Sequence, residues 1–238
     1  MKTTAMKKTA ANKFTSRLAF TLVELLVVIS IIGVLAAFTV PVLKSLKRRE
    51  FISKTQAELA LLETAIDSYK AAYGFYPPDN TNIVNNLTSA MTNQLYYELI
   101  GTTNNGVNYV ALDGSAQIPV GSVGNAFGVG GFMNCNSANK VSSEDSPSAK
   151  SFLSSLKPNQ YATIADGAAN VTLLVASVGG PDQKYQPLNT LDLNPWRYVA
   201  QGTNNPGGYD LWVQLVIAGQ TNLVCNWNKQ IQINSPLP

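Results

Sequence analysis

Glu24 is the one charged side chain between Phe20 and Leu43, and it stands at the head of the apolar run LLVVISIIGVLAAFTVPVL. A helix over that stretch reaches about 36 Å at roughly 1.5 Å per residue, enough to span a bilayer with some tilt. An ionised group in such a setting costs about 2.5 to 3.5 kcal/mol at mid-membrane and less near the interface, so a carboxylate there calls for a cationic partner. Lys2, Lys7, Lys8, Lys13 and Arg17 precede the run, and Lys44, Lys47, Arg48 and Arg49 follow it. An ordinary secretory signal has an apolar core of about 7 to 15 residues and then a small-residue cleavage site. Here the core is longer, and the small residue Ala19 comes before it.

Most catalytic chemistry is excluded. The chain has no His, which removes Ser-His-Asp and Cys-His nucleophile pairs and most catalytic zinc sites. Gly121 to Gly131 is glycine-rich but lacks the Gly-Lys-Ser/Thr ending of a phosphate loop, so it reads as a surface loop. Glu144 and Asp145 stand in a Ser-rich stretch and read as a solvated loop. Trp196, Trp212 and Trp227 fit a sugar platform or core packing, packing being the commoner use. The whole chain is +3, yet residues 51–238 hold eight basic and twelve acidic residues, a net −4. No basic stripe is left there for phosphates, so no nucleic-acid partner is expected.

These residues must be positioned by a long helix and a sheet. Ile52, Thr55, Leu59, Leu62, Ile66, Tyr69 and Tyr73 recur at alternating spacings of three and four, one helical face, with Lys54, Glu58, Glu63, Asp67 and Lys70 largely off it. Gly74 caps that helix and Pro77-Pro78 blocks its resumption, giving one helix from about Phe20 to Tyr73. Leu87 to Ile100 reads as a short helix burying Leu95, Tyr96 and Leu99. Residues 101–147, rich in Gly, Asn and Ser, read as an irregular insertion, and Ser151 to Leu156 as a helical turn. Val171 to Val178, Arg197 to Ala200, Tyr209 to Ala218 and Leu223 to Trp227 read as strands. Leu211, Val213, Leu215 and Ile217 alternate with Trp212, Gln214 and Val216, as in a sheet with one face on a core.

The basic leader, Ala19 and the string Phe20-Thr21-Leu22-Val23-Glu24 ahead of a spanning apolar run resemble the prepilin-like proteins, the type IV pilins and type II secretion pseudopilins. The resemblance implies an α+β, pilin-like lollipop: a long N-terminal helix, half transmembrane and half amphipathic, packed on a small antiparallel C-terminal sheet. It implies a leader over 1–19, a membrane helix over 20–43, its amphipathic extension over 44–74, and a periplasmic head over 75–238 carrying the insertion. Cleavage by a prepilin peptidase is expected between Ala19 and Phe20, with N-methylation of Phe20. Family members usually have Gly where Ala19 stands. Glu24 falls on the family's assembly glutamate, which pairs with the terminal amine of a neighbouring subunit. Gly33 and Pro41 are where the helix is expected to bend or melt. Implied partners are other copies of the chain, minor pseudopilins, the peptidase and an inner-membrane assembly platform.

Asn194-Pro195-Trp196-Arg197-Tyr198 and Asn205 to Trp212 look like the last strands of the type II secretion major pseudopilin, a looser likeness over residues 192–227. Many such proteins bind calcium in a loop after these strands. Gly219-Gln220-Thr221-Asn222 carries no carboxylate there, a departure for a cation that wants about six to eight oxygen ligands. Asp182, Asp192 and Asp210 are the remaining calcium candidates, against the alternative of turn and cap residues. No other cofactor is expected. Cys135 and Cys225 lie 90 residues apart in a segment expected to face an oxidising periplasm, as a disulfide or as two separately buried thiols. The function implied is a non-enzymatic subunit that polymerises into a pseudopilus or pilus, most simply for type II secretion. The alternative is a membrane-tethered periplasmic binding or adhesion module that does not polymerise.

Overall fold

A computed structural model describes residues 20–82, 90–137, 148–154, 156–167, 169–178 and 187–235, without the side chains of 38–44 and 189. The chain divides between Ser45 and Leu46 into two units. The longest element, α1, runs Leu22–Tyr73, so its first part belongs to one unit and its second to the other.

In the first unit the described side chains of 20–37 are all exposed. Among the described residues no helix is long and apolar enough to cross a membrane. The side chains of 38–44, the end of the apolar run, lie outside that description.

In the second unit the expected helical face is the buried one. Thr55, Leu59, Leu62, Ile66 and Tyr69 are buried, and Ile52 and Tyr73 are half-buried. Glu58 departs from expectation, because it too is buried and accepts hydrogen bonds from the backbone N–H (3.2 Å) and the hydroxyl of Ser177. Gly74 ends the helix as predicted, at φ +85° with its N–H donated to the Lys70 carbonyl at 2.7 Å.

The expected helix from Leu87 is shorter. Residues 83–89 are outside the description, positions 90 and 91 are helical, and α2 is Leu95–Ile100 with every residue buried. Asn93 separates the two, its side chain donating to the carbonyls of Ala90 and Trp196 and accepting the Leu95 N–H.

Residues 101–137 are not irregular. They hold β1 (Thr102–Asn104), β2 (Asn108–Ala111), β3 (Gln117–Pro119), the short helix α3 (Val123–Phe127) and β4 (Cys135–Ser137). The sheet order is β3-β2-β1-β4, antiparallel except for the β1–β4 pair. Asparagines build its turns. Asn105 Oδ1 accepts the N–H groups of Val107 and Asn108, and Asn104 Oδ1 accepts that of Gly106, which sits at φ +89°. Tyr109, Ile118, Val123, Phe127 and Phe132 are buried, with Phe132 stacked on Tyr97 at 4.7 Å. Residues 138–147, with Glu144 and Asp145, lie outside the description. Residues 151–154 and 156 are not helical.

A hairpin follows, β5 (Tyr161–Asp166) with β6 (Ala169–Leu174). The last sheet, in order β10-β9-β8-β7, is wholly antiparallel: β7 (Arg197–Val199), β8 (Asp210–Ile217), β9 (Gln220–Cys225) and β10 (Gln232–Ile233). Ala218 (φ 52°) and Gly219 (φ 79°) form the two-residue turn between β8 and β9, both residues left-handed as such hairpins require. Gly219 to Asn222 is therefore the turn and the start of β9 rather than a loop.

Leu211, Val213, Leu215 and Ile217 enter one core with Leu59, Leu62, Ile66 and Tyr69 of α1. The opposite face of β8, expected to meet solvent, is also covered. Trp212 packs there with Ala90, Leu223 and Cys225, and against Trp227 edge to face at 5.8 Å. The tryptophans are thus packing residues: Trp196 and Trp212 are buried and Trp227 half-buried. The architecture is α+β, a long helix followed by largely antiparallel sheets.

Candidate functional site

Thr21 immediately precedes α1 and organises its start. Its carbonyl accepts the first helical bond from Leu25 N–H at 3.2 Å. Its hydroxyl accepts the Glu24 N–H at 3.2 Å and donates to Glu24 Oε2 at 2.8 Å, and the same carboxylate oxygen accepts the Thr21 backbone N–H at 2.8 Å. This reciprocal arrangement is a capping box, two otherwise orphaned backbone donors each satisfied by the other residue's side chain. Its sequence signal is Thr-x-x-Glu ahead of an apolar run, a pattern that points to this cap as well as to an intermolecular role for Glu24. The helix N-terminus also favours the negative charge.

Around this cap the surface is apolar. Phe20 is 75 % exposed and Leu22 78 %, and Val23, Leu25, Leu26, Ile29, Ile31 and Ile32 are all more than half exposed. Such a face needs lipid or other helices to cover it. Ala19 lies outside the described residues. The helix is continuous through Gly33, where an added Cβ would meet nothing within 4 Å, and through position 41, whose side chain is outside the description.

The other predicted site residues do not come together. Cys135 and Cys225 are not bridged. Cys135 lies in β4 of the first sheet, its thiol donating to the Asn136 carbonyl at 3.3 Å. Cys225 lies in β9 of the last sheet, in the separate apolar cluster with Trp212, where burial pushes its thiol pKa up. Of the two arrangements expected for this pair, the structure has the separate thiols, Cys135 half-buried and Cys225 buried, in different packing environments.

Of the calcium candidates, Asp182 lies outside the description, and Asp192 is exposed at a left-handed turn position (φ 61°). Asp210 is buried and already saturated. Its Oδ2 accepts the N–H groups of Thr203 (2.9 Å) and Asn204 (2.9 Å) and Asn204 Nδ2 (3.0 Å), and its Oδ1 accepts Asn205 N–H (2.9 Å). A Cβ on Gly202 would stand 2.5 Å from Asp210 Oδ1, so the nest needs glycine there. Asp210 organises a turn. Among the described residues no three Asp, Glu, Cys or His side chains form a group able to hold a metal.

Sequence reasoning also missed Glu98, fully buried in α2. Its carboxylate accepts the Tyr69 hydroxyl (2.9 Å) and the N–H groups of Met133 (2.9 Å) and Asn134 (3.0 Å), tying α1 to the approach to β4. Burial raises its pKa, while those three donors oppose the shift.

Comparison with known proteins falls on the segment built around the cap. Residues 15–40 match the family described as the prokaryotic N-terminal methylation motif. The chain is similar to the type II secretion system core protein G of Escherichia coli (strain K12), 42 % identical over 64 residues, covering 27 % of this chain and 44 % of that protein. It is similar likewise to the core protein G of Vibrio cholerae (38 % over 66 residues, 28 % and 45 %) and of Klebsiella pneumoniae (45 % over 58 residues, 24 % and 41 %). The chain thus spans less than half the length of the curated relatives it matches. No solved structure matches it.

Proposed function

We propose that the chain is a structural subunit, not an enzyme, of a type II secretion pseudopilus. The observation that carries this reading is the methylation-motif match over residues 15–40, centred on a helix start whose carboxylate is held in place by Thr21. The names and identities of the relatives support it. In this reading residues 1–19 are a leader removed by a prepilin peptidase between Ala19 and Phe20, and Phe20 is then N-methylated. Residues 20–43 hold the precursor in the inner membrane, 44–74 extend that helix, and 75–238 form a pilin-like periplasmic head.

Assembly follows from the exposed apolar surface of 20–37. Packing such helices side by side in a filament removes that surface from water or lipid, and each Glu24 then meets the new amine of a neighbouring Phe20. A paired charge in that setting escapes the cost of an isolated one. Gly33 and Pro41 are the positions at which the helix bends as subunits pack. Partners are further copies of the chain, minor pseudopilins and the assembly platform.

Intact-mass analysis of protein from membranes tests the processing step. The expected chain begins at Phe20, about 2 kDa lighter than the precursor and carrying one methyl group. An unprocessed chain, or one cut after Ala37, sinks the reading. Glu24→Gln should insert normally and enter filaments poorly.

A further inference from the structure

The β5–β6 hairpin leaves one side of β5 open. Val175 N–H donates to the Gln160 carbonyl at 2.9 Å, and with the register this fixes the alternation of the ladder. Ala162, Ile164 and Asp166 bond to β6, so Tyr161, Thr163 and Ala165 turn their N–H and C=O groups away from it. The same alternation points Thr172 and Leu174 outward from β6, and there the groups are met. Thr172 N–H donates to the Tyr97 hydroxyl at 3.1 Å, and the Leu174 carbonyl accepts Trp196 N–H at 2.9 Å. Among the described residues nothing meets the backbone groups of Tyr161, Thr163 and Ala165. Thr163 and Ala165 are exposed and Tyr161 is half-buried.

The edges of the two four-stranded sheets are built differently. β3, β4 and β7 hold three residues each and β10 holds two, and β3 ends in Pro119. Short strands and proline are ordinary means of keeping an edge from pairing. β5 has six residues, no proline or glycine, and a single charge, Asp166 at its end. An open edge of that length is a template for a further strand. A charge of the opposite sign stands at its other end. Lys157 opens the turn before β5, its N–H donating to Gln160 Oε1 at 2.9 Å and its carbonyl accepting Gln160 N–H at 2.9 Å. Lys157 and Asp166 are both exposed, and the ion pair among the described residues is Lys54 with Glu50.

We propose that β5 pairs with β5 of a second copy of this chain, antiparallel about a two-fold axis at Thr163. Residues exchange bonds only where both face outward, so Thr163 lies opposite its counterpart and Tyr161 opposite Ala165. This register engages the outward groups of all three residues. It also sets Asp166 opposite the second copy's Gln160, beside that copy's Lys157, and no like charges face one another. The acidic end of each strand thus meets the basic end of the other, and this self-complementarity is what selects a second copy as the occupant. A two-fold contact closes on itself. It joins heads in pairs, and it acts apart from the packing of the apolar part of α1 that builds a filament.

The test uses the full chain in detergent. Counterparts in a bonded pair stand about 5.5 Å apart between Cα atoms, within disulfide reach, so Thr163→Cys should link to itself under mild oxidation, as peptide mapping will show. Asn170→Cys, one strand further in, should not. In sedimentation velocity Thr163→Pro should weaken dimerisation about tenfold, since it removes both bonds at the axis. That N–H has no partner in the hairpin, so the variant is expected to fold, which its thermal transition verifies. Asp166→Lys and Lys157→Asp should each weaken the dimer about fivefold, and the two together should restore it. No self-link from Thr163→Cys, an equal link from Asn170→Cys, or a double reversal no better than either single one overturns the proposal. It is likewise overturned if β5 amides are protected from exchange in material from cells while Thr163→Cys forms no self-link, which assigns the edge to a strand of another protein.

Discussion

The two units of this chain handle apolar surface in opposite ways. From Phe20 to Ala37 the side chains are leucine, valine, isoleucine and alanine in the main, and all are exposed. From Leu46 onward, the same residue types at alternating spacings of three and four are buried against sheets, with Ile66 and Tyr69 at 0 % exposure. One helix carries both patterns, and among the described residues only the second is covered. The first is a sequence written for an environment that other molecules supply. The methylation motif falls on this unsatisfied part, and the relatives match in the N-terminal region.

The sharpest way to break this contrast is to make the same change in both parts. Ile66→Ala removes buried methyl groups from a packed core and should lower head stability by about 2 to 5 kcal/mol in urea unfolding. Ile32→Ala, at 58 % exposure, should leave that transition where it is while reducing incorporation into filaments. Equal effects of the two on head unfolding would show that residues 20–37 are part of the head's core after all.

Asp210→Asn comes next. Four N–H donors converge on that carboxylate, and an amide would turn its own NH₂ toward some of them. Charge-assisted bonds are worth roughly 1.5 to 3 kcal/mol each, not additively, so a loss of roughly 3 kcal/mol is expected in the same measurement. The loss should not depend on added calcium. A variant as stable as the parent, or one rescued by calcium, would return Asp210 to the list of metal ligands.

How much of this could be read from the residues alone differs between the regions for physical reasons. α1 was legible because its buried face repeats over six turns, and β8 because eight alternating residues leave little choice of period. The first sheet was not. Its strands are three or four residues long and half-buried, and the asparagines that look like disorder are the side chains that close its turns. Coverage of the second face of β8 depends on Ala90 and on Trp227, contacts distant from one another in sequence that no local pattern encodes. The Thr21–Glu24 cap was legible by spacing, whereas the burial of Glu58 and Glu98 was not, because carboxylates are seldom buried and only long-range partners make it tolerable.

Glu98 offers a smaller, pH-dependent contrast between the units. Its folded pKa is raised above the unfolded value of about 4.3, because burial outweighs the three donors that oppose it. The folded head then holds its proton more tightly than the unfolded chain. The resulting stabilisation is fully present below the unfolded pKa and is lost as pH rises through the folded one. Urea midpoints followed upward from pH 4 should show that decline, and Glu98→Gln should flatten it even though the amide lowers stability at every pH. An unchanged slope in the variant would move its origin to another group.

The smallest effect is expected at Thr21, and it separates two jobs assigned to one carboxylate. Thr21→Ala keeps Glu24 and removes the hydroxyl that both donates to it and accepts its N–H. Loss of an N-cap typically shifts a helix-start equilibrium by about fivefold, so amide exchange of the first helical turn should quicken by about that factor, with the head unaffected. If Glu24 acts only within its own helix, Thr21→Ala and Glu24→Gln should impair filament formation alike, since each dismantles the same cap. If Glu24 also meets the amine of a neighbouring chain, Glu24→Gln should be far the worse, because Thr21→Ala leaves the charge in place. The order of those two variants decides whether the cap is the function of Glu24 or the device that holds it ready.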